Sequence, residues 1–436
     1  MPHQSLPGFR DFYPPEFALR AHLFGAMRRV SARYGFEEYD GPPLEGLELY
    51  TEKSGDEIVG QLYEFTDKGG RRVALRPEMT PTLARMVAVK ANGLKKPIRW
   101  FSIPQLFRYE RQQRGRLREH FQLNCDLIGE PGPLGDAEVI ALAIDVMREL
   151  GLGPQDVRVR LFDRRALQSL LGALGVTDEY LPLAYQAIDK LGRGEFASHK
   201  ERLVAATGSA AAIEFIEANR RIKTWPEFAA LVAGYPSVVA AAAPLQRTVE
   251  ALEQMGVGPF VDLDLTIVRG LAYYTGTVFE LFDAQGQLRA ICGGGRYDDL
   301  LKNLGGVDLP ALGFGMGDVV LSELLKDRGL LPQGGTGIEL FLGAVTPDDR
   351  PHVLRIGHRL RDAGFRLEYS LNEQALGKQL KLADTRGARV AVVVGPDDRA
   401  RSEVAVKDLG SGSQRGVPER DLIEHLHRLL RRAEAT

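Results

Sequence analysis

The chain has 436 residues, 44% of them hydrophobic and 26% charged, with a formal net charge of −2. This length predicts two or three domains, and the near-neutral charge excludes bulk electrostatic binding to nucleic acid while allowing local basic patches. Cys125 and Cys292 lie far apart and lack a CxxC pattern, and no apolar run reaches membrane-spanning length, so we expect a cytoplasmic protein without disulfides, a zinc site or membrane contact.

The N-terminal region predicts one helix and three short strands. Apolar residues recur at helical spacing from about Glu16 to Tyr34. Residues 36–43 are typical of a short strand that ends at a turn. Residues 63–66 and 72–75 then predict a hairpin with its turn at 67–70.

The hairpin leads into RPEMT at residues 76–80 and then into a helix predicted at about 81–92. Glu78 and Thr80 therefore lie at a strand-to-helix junction, where side chains commonly meet a ligand. Helix capping by Thr80, with Glu78 as a surface charge, would also explain these residues.

Residues 100–129 predict two strands joined by a basic loop. The side chains of the second strand alternate between two faces. The apolar face carries Phe121, Leu123, Cys125 and Leu127, and the polar face carries His120, Gln122, Asn124 and Asp126. A polar row of this kind is expected to line a site. The loop at 111–118 carries four arginines and one glycine, which suits the binding of phosphates. A solvated hairpin with a polar outer face is the alternative.

The middle of the chain predicts helices at 136–150 and 165–174, with a strand at 157–162 between them. From about 176 to 257 alanine and leucine dominate and strand patterns are absent. We interpret this segment as an inserted helical subdomain, and its basic residues as solvated helix faces.

Residues 264–282 are predicted to be rich in β-structure. They hold Arg269, Tyr273 and Tyr274, which offer one fixed positive charge and two phenolic groups. Core tyrosines beside a snorkelling arginine would give the same pattern. Residues 292–298 predict a glycine turn into a helix, and 312–325 a glycine-broken strand that runs into a helix.

Beyond a linker the pattern predicts a compact α/β domain. Its strands are expected at 338–345, 366–371, 389–395 and 403–408, and its helices at 348–363, 374–386 and 419–432. It contains no nucleophile with a base and no metal-ligand cluster, so we interpret it as a binding module.

Several of these segments together resemble one family. FRYERQQRGRLREHFQLNCDLIG resembles motif 2 of class II aminoacyl-tRNA synthetases, and RPEMT and RGLAYYTGTVFE resemble the two histidine-binding signatures of the histidyl-tRNA synthetase family. GGGRYDDL, the glycine-rich segment 312–317 and KLADTRGARVAVVVG fit the same family. The resemblance runs from LPGFRDFYPPE to the last predicted helix.

The resemblance implies an α+β fold. Its catalytic core, an antiparallel sheet flanked by helices, would comprise residues 1–175 and 258–327. A helical insertion would occupy 176–257, a linker 328–337, and a C-terminal α/β anticodon-binding domain 338–436.

The resemblance also implies a reaction and its partners. L-histidine and ATP would form histidyl-adenylate and pyrophosphate, with Mg²⁺ bridging the ATP phosphates, and the histidyl group would pass to tRNA(His). Such a reaction depends on positioning and fixed positive charge rather than on a protein nucleophile. The family also implies a homodimer built on the first helix and the strand near 36–43.

Site residues follow from the same resemblance. Arg108 would hold the α-phosphate and Arg269 would neutralise the reacting carboxylate and phosphate, so both are predicted catalytic residues. Glu110 and Arg116 would complete the ATP site with Arg108, and Arg116 could instead meet the tRNA acceptor end. In the same loop, Gln113 and Arg114 are candidates to touch the 5′ guanosine of the tRNA. No metal ligand is predicted from the protein motifs.

Histidine-binding residues are implied at Glu78, Met79, Thr80, Arg108, Gln122, Asp126, Arg269, Tyr273 and Tyr274. Glu78, Thr80 and Gln122 match positions that hold the α-amino group. Asp126 and Tyr274, with Tyr273 nearby, match the imidazole pocket, which would read the ring by paired hydrogen bonds.

Three positions depart from the family pattern. Asp126 stands where glutamate is usual, Ala272 where aspartate is usual, and Val320 where motif 3 carries an ATP-binding arginine. These departures leave one alternative, a related regulatory subunit of ATP phosphoribosyltransferase in histidine biosynthesis. That protein generally lacks the C-terminal domain and has eroded arginines, whereas this chain keeps Arg108 and Arg269. We therefore predict the ligase.

Overall fold

The computed structural model of the protein describes residues 4–51, 60–110, 115–191, 196–268, 273–331 and 337–432. The chain divides into two compact units, Met1–Pro332 and Gln333–Thr436. Each unit has hydrophobic clusters of its own, so each can be described by itself.

The helices of the first unit are α1 (Pro14–Arg33), α2 (Glu48–Thr51), α3 (Thr80–Lys90), α4 (Pro133–Glu149), α5 (Arg164–Ala173), α6 (Leu181–Asp189), α7 (Phe196–Thr207), α8 (Ala211–Asn219), α9 (Trp225–Val232), α10 (Pro236–Ala241), α11 (Ala243–Gln254), α12 (Leu300–Gly305) and α13 (Asp318–Asp327). Proline occupies the first turn of α1, α3 and α4, where its missing N–H costs no helical hydrogen bond. The bounds of the predicted helices in this unit agree with the observed ones to within a few residues.

The strands of the first unit are β1 (Glu37–Glu38), β2 (Leu44–Gly46), β3 (Tyr63–Thr66), β4 (Arg72–Leu75), β5 (Ile98–Ser102), β6 (Gln105–Phe107), β7 (Glu119–Ile128), β8 (Val157–Asp163), β9 (Val261–Leu263), β10 (Thr277–Asp283), β11 (Cys292–Arg296) and β12 (Ala311–Gly317). The hairpin of β3 and β4 has the predicted bounds. The strand predicted at 36–43 is shorter, because only β1 pairs there, in parallel with β5.

A large sheet organises the unit. Within the described residues its strand order is β1-β5-β7-β12-β11-β10-β8-β9, with β6 paired to β7, and a separate small sheet has the order β2-β4-β3. The central pairs are antiparallel, while β1–β5 and β8–β9 are parallel. The predicted antiparallel sheet flanked by helices is therefore confirmed.

Helix α4 covers one face of this sheet and packs against β7, β11 and β12. It is buried along most of its length, since α1 and α11 pack against it as well. The guanidinium of Arg296 on β11 is itself buried and lies 2.8 Å from a carboxylate oxygen of Asp136 on α4. It also donates to the carbonyls of Glu130 and Gly132, so this ion pair joins sheet and helix with its donors satisfied.

In the described part of 176–257 the regular structure is helical, as predicted, from α6 to α11. Their buried side chains, such as Ile188, Ile216 and Leu252, belong to the same hydrophobic cluster as the sheet and α4. The segment is therefore packed onto the core of the first unit.

Two predictions near the glycine-rich segments were wrong in detail. Residues 292–296 form the strand β11, where a glycine turn was predicted. A Cβ at Gly294 would lie 2.3 Å from the carbonyl oxygen of Gly313, so the glycines here permit close approach of strands. The stretch 264–282, predicted to be β-rich, is a strand only from Thr277 among its described residues.

The second unit is an α/β domain with strands β13 (Leu340–Ala344), β14 (Leu367–Tyr369), β15 (Val390–Val394), β16 (Glu403–Asp408) and β17 (Gln414–Pro418) and helices α14 (Arg350–Asp362), α15 (Leu376–Thr385), α16 (Pro396–Ala400) and α17 (Leu422–Arg432). Its strand order is β14-β13-β15-β16-β17. The first three strands are parallel and the last two antiparallel. The predicted α/β domain is confirmed, although β17 and α16 were missed.

Neither unit contains, in its described helices, a segment with the length and apolar character needed to cross a bilayer.

Candidate active site

Strand β7 positions the site by the strict alternation of its side chains. Leu123, Cys125 and Leu127 point into the hydrophobic cluster with α1 and α4. The next residues in alternation, among them Gln122 and Asp126, face a cleft on the other side of the sheet. The predicted polar row therefore lines a cleft, as the sequence indicated.

One end of the cleft is a small cavity of about 90 Å³. Seven of the nine predicted histidine-binding residues line it: Glu78, Thr80, Arg108, Gln122, Asp126, Tyr273 and Tyr274. Asn124 and Tyr297 complete its polar wall. The structure thus gathers residues from five separate segments of the chain.

The segment 76–80 enters the cleft because Arg76 anchors it. That guanidinium is buried and donates to the carbonyls of Gly41 and Gln105. Glu78 is also buried, which excludes the surface charge of the alternative interpretation. The helix begins at Thr80 without a side-chain capping hydrogen bond, so capping does not account for Thr80 either.

Met79 is the described member of the predicted set that does not line the cavity. Its side chain is buried, and its sulfur accepts a hydrogen bond from Arg76. Met79 thus packs inward, while Glu78 and Thr80 on either side of it reach the cleft.

Glycines form the floor of the cleft. Gly293 lies opposite Gly315 and Gly295 opposite Gly313, in the register of β11 and β12. A Cβ at Gly313 would lie 2.4 Å from Oδ1 of Asp126, and one at Gly315 would lie 2.7 Å from Cδ of Gln122. Only bare backbone leaves room here for the polar row of β7.

Asp126 is a buried carboxylate in the small cavity. It is 5% exposed, and Tyr297 donates a hydrogen bond to its Oδ1. Burial raises the pKa of Asp126 to about 7, although the bond from Tyr297 acts in the opposite direction. In its ionised form this buried carboxylate can accept a hydrogen bond from a ring N–H.

Arg108 lies where the small cavity opens into a larger one, because it lines both. Its Nε donates to the carbonyl oxygen of Pro77 at 2.9 Å, which fixes the side chain against the segment that carries Glu78. A guanidinium held in this way offers its remaining donors to an anion between the two cavities.

The larger cavity has a volume of about 660 Å³. Its charged and polar lining includes Arg108, Glu110, Arg116, His120, Gln122, Glu280 and Arg289. The three residues predicted to bind ATP, Arg108, Glu110 and Arg116, thus share it, and Arg116 lies 3.0 Å from a carboxylate oxygen of Glu110.

His120 continues the polar row of β7 into this larger cavity. Its burial, together with the charges of Arg108 and Arg10, lowers the pKa of His120 to about 3. The imidazole is therefore neutral at physiological pH and presents a flat, uncharged ring to the cavity.

Val320 lines the larger cavity as an apolar side chain. Asp318, two residues before it, is buried, accepts a hydrogen bond from the backbone N–H of Phe121, and lies 3.0 Å from Arg10. Arg10 also pairs with the buried Glu119 at 2.6 Å. The start of α13 is therefore engaged in holding β7 and the N-terminal arm.

Four residues predicted from the resemblance lie outside the described residues. They are Arg269, Ala272, Gln113 and Arg114.

The sequence interpretation did not assign Tyr297, Glu280 or Arg289 to the site. Tyr297 belonged to a recognised motif, GGGRYDDL, yet its contact with Asp126 depends on strand pairing between β7, β12 and β11. Glu280 and Arg289 enter the larger cavity from β10 and the connection that follows it. Local patterns carry no signal of such long-range neighbours.

An antiparallel sheet that holds a motif 2 hairpin over a glycine floor, with arginines along the cleft, defines the catalytic core of a class II aminoacyl-tRNA synthetase. Residues 8–318 match the family model described as "Histidyl-tRNA synthetase", and residues 344–429 match "Anticodon binding domain". The chain therefore belongs to the histidyl-tRNA synthetase family.

Individual proteins agree with this assignment. The chain is 46% identical over 422 residues to a histidine–tRNA ligase of Opitutus terrae, covering 95% of this chain and 96% of that protein. It is 40% identical to the chloroplastic/mitochondrial histidine–tRNA ligase of Arabidopsis thaliana, covering 95% and 85% of the two chains. The crystal structure of histidyl-tRNA synthetase from Nostoc sp. PCC 7120 superposes with a TM-score of 0.84 at 26% identity, covering 98% and 99%.

Proposed function

We propose that this chain is a histidine–tRNA ligase, which activates L-histidine with ATP and transfers it to tRNA(His). The observation that carries the proposal is the continuous cleft, in which a small polar cavity and a larger cationic cavity meet at Arg108. Two substrates held at the two ends would bring their reacting groups together beside this guanidinium.

In the first step, a carboxylate oxygen of histidine attacks the α-phosphorus of ATP. The bond from that phosphorus to the bridging oxygen breaks, and pyrophosphate leaves with the electron pair. Arg108 would balance the negative charge that gathers at the α-phosphate, since a preorganised cation costs little reorganisation during the reaction. The resemblance assigns a second such role to Arg269.

The small cavity would select histidine. Glu78, Thr80 and Gln122 would hold the α-amino group, and Asp126 and Tyr274 would bind the two nitrogens of the imidazole. With Tyr297 donating to Oδ1 of Asp126, the second carboxylate oxygen remains to accept a ring N–H. An amino acid without these groups would leave buried polar atoms unpaired and be rejected strongly.

Mg²⁺ would accompany ATP in the larger cavity. Glu110 and Glu280 supply two carboxylates to its lining. Among the described residues, no cluster of three or more histidine, cysteine or acidic side chains is arranged to hold a metal. This lining fits an ion coordinated chiefly by substrate phosphates, whose contribution is to neutralise phosphate charge.

The second unit would bind the tRNA anticodon. It contains a cavity of about 290 Å³, to which Arg350, Tyr369 and Gln379 contribute. The cavity lies where the parallel strands β13 and β14 end, the edge at which α/β sheets bind ligands. Unpaired bases could stack on the ring of Tyr369 and hydrogen-bond to the polar groups around it.

The remaining expectations belong to the same proposal. A homodimer built on α1 and the strand β1, a cytosolic location, and contacts of Gln113 and Arg114 with the tRNA acceptor end stay predictions. The regulatory-subunit alternative is disfavoured, because the chain matches curated histidine–tRNA ligases over nearly their full length.

Charging of tRNA(His) with radiolabelled histidine tests the proposal. We expect the full chain to charge this tRNA with histidine and with no other amino acid. A chain truncated at Gly337 should retain pyrophosphate exchange, because the first unit has its own core and cleft, but should charge tRNA poorly. Histidine binding without charging would instead favour the regulatory role.

A further inference from the structure

The larger cavity contains an arginine that no motif accounts for. Among its described lining residues the permanently charged cations are Arg108, Arg116 and Arg289. The first two belong to the motif 2 segment around β6 and β7. Arg289 comes from the connection between β10 and β11, on the far side of β12 in the strand order, and its side chain is exposed.

The connection that carries Arg289 lies next to the start of α13. Cys292 pairs with Met316, and the backbone N–H of Gly317 donates to the carbonyl of Ile291 at 3.2 Å. Arg289, two residues before Ile291, lines the same cavity as Val319 and Val320. Val320 stands where motif 3 of the family carries its ATP-binding arginine.

Val320 itself cannot provide the missing charge. Its side chain is apolar and 8% exposed, and its Cγ2 would lie 3.3 Å from a Cβ built at Gly115 of the motif 2 loop. It therefore packs against Gly115. The cavity keeps an arginine on this side through Arg289, which reaches it from the neighbouring strand connection.

We propose that Arg289 binds the β- and γ-phosphates of ATP and so replaces the arginine that motif 3 lacks. A guanidinium carries a permanent charge and several donors, which suits phosphate oxygens. Arg108 is fixed at the junction with the small cavity, where the α-phosphate would lie, so the terminal phosphates would meet another cation of the larger cavity. The inference rests on the proposed use of ATP.

Titration calorimetry with ATP and with AMP, both at constant Mg²⁺, tests the inference on the full chain. Arg289→Ala should weaken ATP binding by about tenfold, the loss expected for a charge-assisted contact, whereas AMP binding should change by less than about twofold. Arg289→Lys should fall between wild type and Arg289→Ala, because it keeps the charge without the planar fork.

Pyrophosphate exchange adds a second readout. Arg289→Ala should raise the KM for ATP by about tenfold and leave the KM for histidine within about twofold, since the contact lies outside the small cavity. Arg220→Ala, at an exposed arginine after α8, is the matched control and should behave as wild type.

Unchanged ATP affinity in Arg289→Ala would overturn the inference, as would an equal loss of ATP and AMP binding, which would place the contact at the base, ribose or α-phosphate. If wild-type protein showed no histidine-dependent exchange, the proposed function would fail. Calorimetry with ATP would still decide the role of Arg289, so the two failures are distinguishable.

Discussion

The two ends of the cleft solve different recognition problems. The small cavity, about 90 Å³, is buried and lined mainly by hydrogen-bonding groups from β7 and two tyrosines, Tyr273 and Tyr274. The larger cavity, about 660 Å³, is lined by arginines and glutamates and is wide enough for a nucleotide. The small cavity recognises its ligand by shape and paired hydrogen bonds, and the larger cavity binds its ligand by opposite charge.

This difference explains where the chain tolerates change. In the small cavity each buried polar group needs a hydrogen-bond partner. Asp126 stands where the family usually has glutamate, and because both side chains are carboxylates the chemistry of the site is kept. In the larger cavity a positive charge can arrive from another segment, so the loss of arginine at Val320 need not remove ATP binding. Charge acts over distance and is less bound to one backbone position than a hydrogen bond is.

Arg108→Ala should produce the largest effect, because this residue lines both cavities. Losing one electrostatic contact to a transition state typically costs about 10²–10³ in rate, and we expect kcat for pyrophosphate exchange to fall by that much. Circular dichroism should show an intact fold. A change confined to the KM of one substrate, with kcat unchanged, would contradict the role of Arg108 between the two cavities.

Asp126→Asn should affect one end alone. An amide keeps the volume but alters the pairing with imidazole, so we expect kcat/KM for histidine to fall by about 10²-fold with little change in the KM for ATP. Steady-state exchange kinetics with each substrate varied in turn measure both values. Equal losses for histidine and ATP would show that the two ends are not separate.

Arg10→Ala should act on stability rather than on substrate choice. Arg10 pairs with Glu119 and Asp318, both buried, and its removal leaves them without their cation. Breaking one side of a buried ion pair costs about 3 kcal/mol or more in free energy of unfolding. Urea denaturation measures the loss, with Arg72→Ala as control, because Arg72 pairs with Glu64 at the surface. Equal losses in both variants would contradict this role.

A further effect should be a pH dependence of stability at Asp126. Its folded-state pKa of about 7 exceeds the ordinary value, so the folded protein binds more protons than the unfolded chain between about pH 4 and 7. Wild-type stability therefore loses a contribution as pH rises through this window. Asp126→Asn does not titrate and so lacks that loss. The free energy of unfolding of the variant, relative to that of wild type, should therefore rise with pH up to about pH 7 and stay constant above it. A constant difference would contradict the raised pKa.

Much of the fold could be predicted from local patterns. The alternation along β7, the hairpin of β3 and β4 and the α/β order of the second unit all follow from the periods of apolar residues. The small cavity was predictable for the same reason, since one strand carries Gln122 and Asp126 on one face.

The remainder depends on contacts between distant segments. Glycines at 293–295 favour a turn by local preference, yet they form β11 because β12 approaches too closely for side chains. Arg289 and Tyr297 join the cleft only through the pairing of β10, β11 and β12. Met79 sits between two cavity residues in sequence but packs inward. Sequence spacing alone does not contain these facts.

Histidine-dependent ATP–pyrophosphate exchange by the purified chain is the most direct test of ligase activity. Wild type should exchange with histidine and with no other amino acid, and both Arg108→Ala and Arg269→Ala should lose most of that activity. If wild type binds histidine and ATP but does not exchange, the cleft is a binding site without catalysis, and the assignment of ligase activity is wrong.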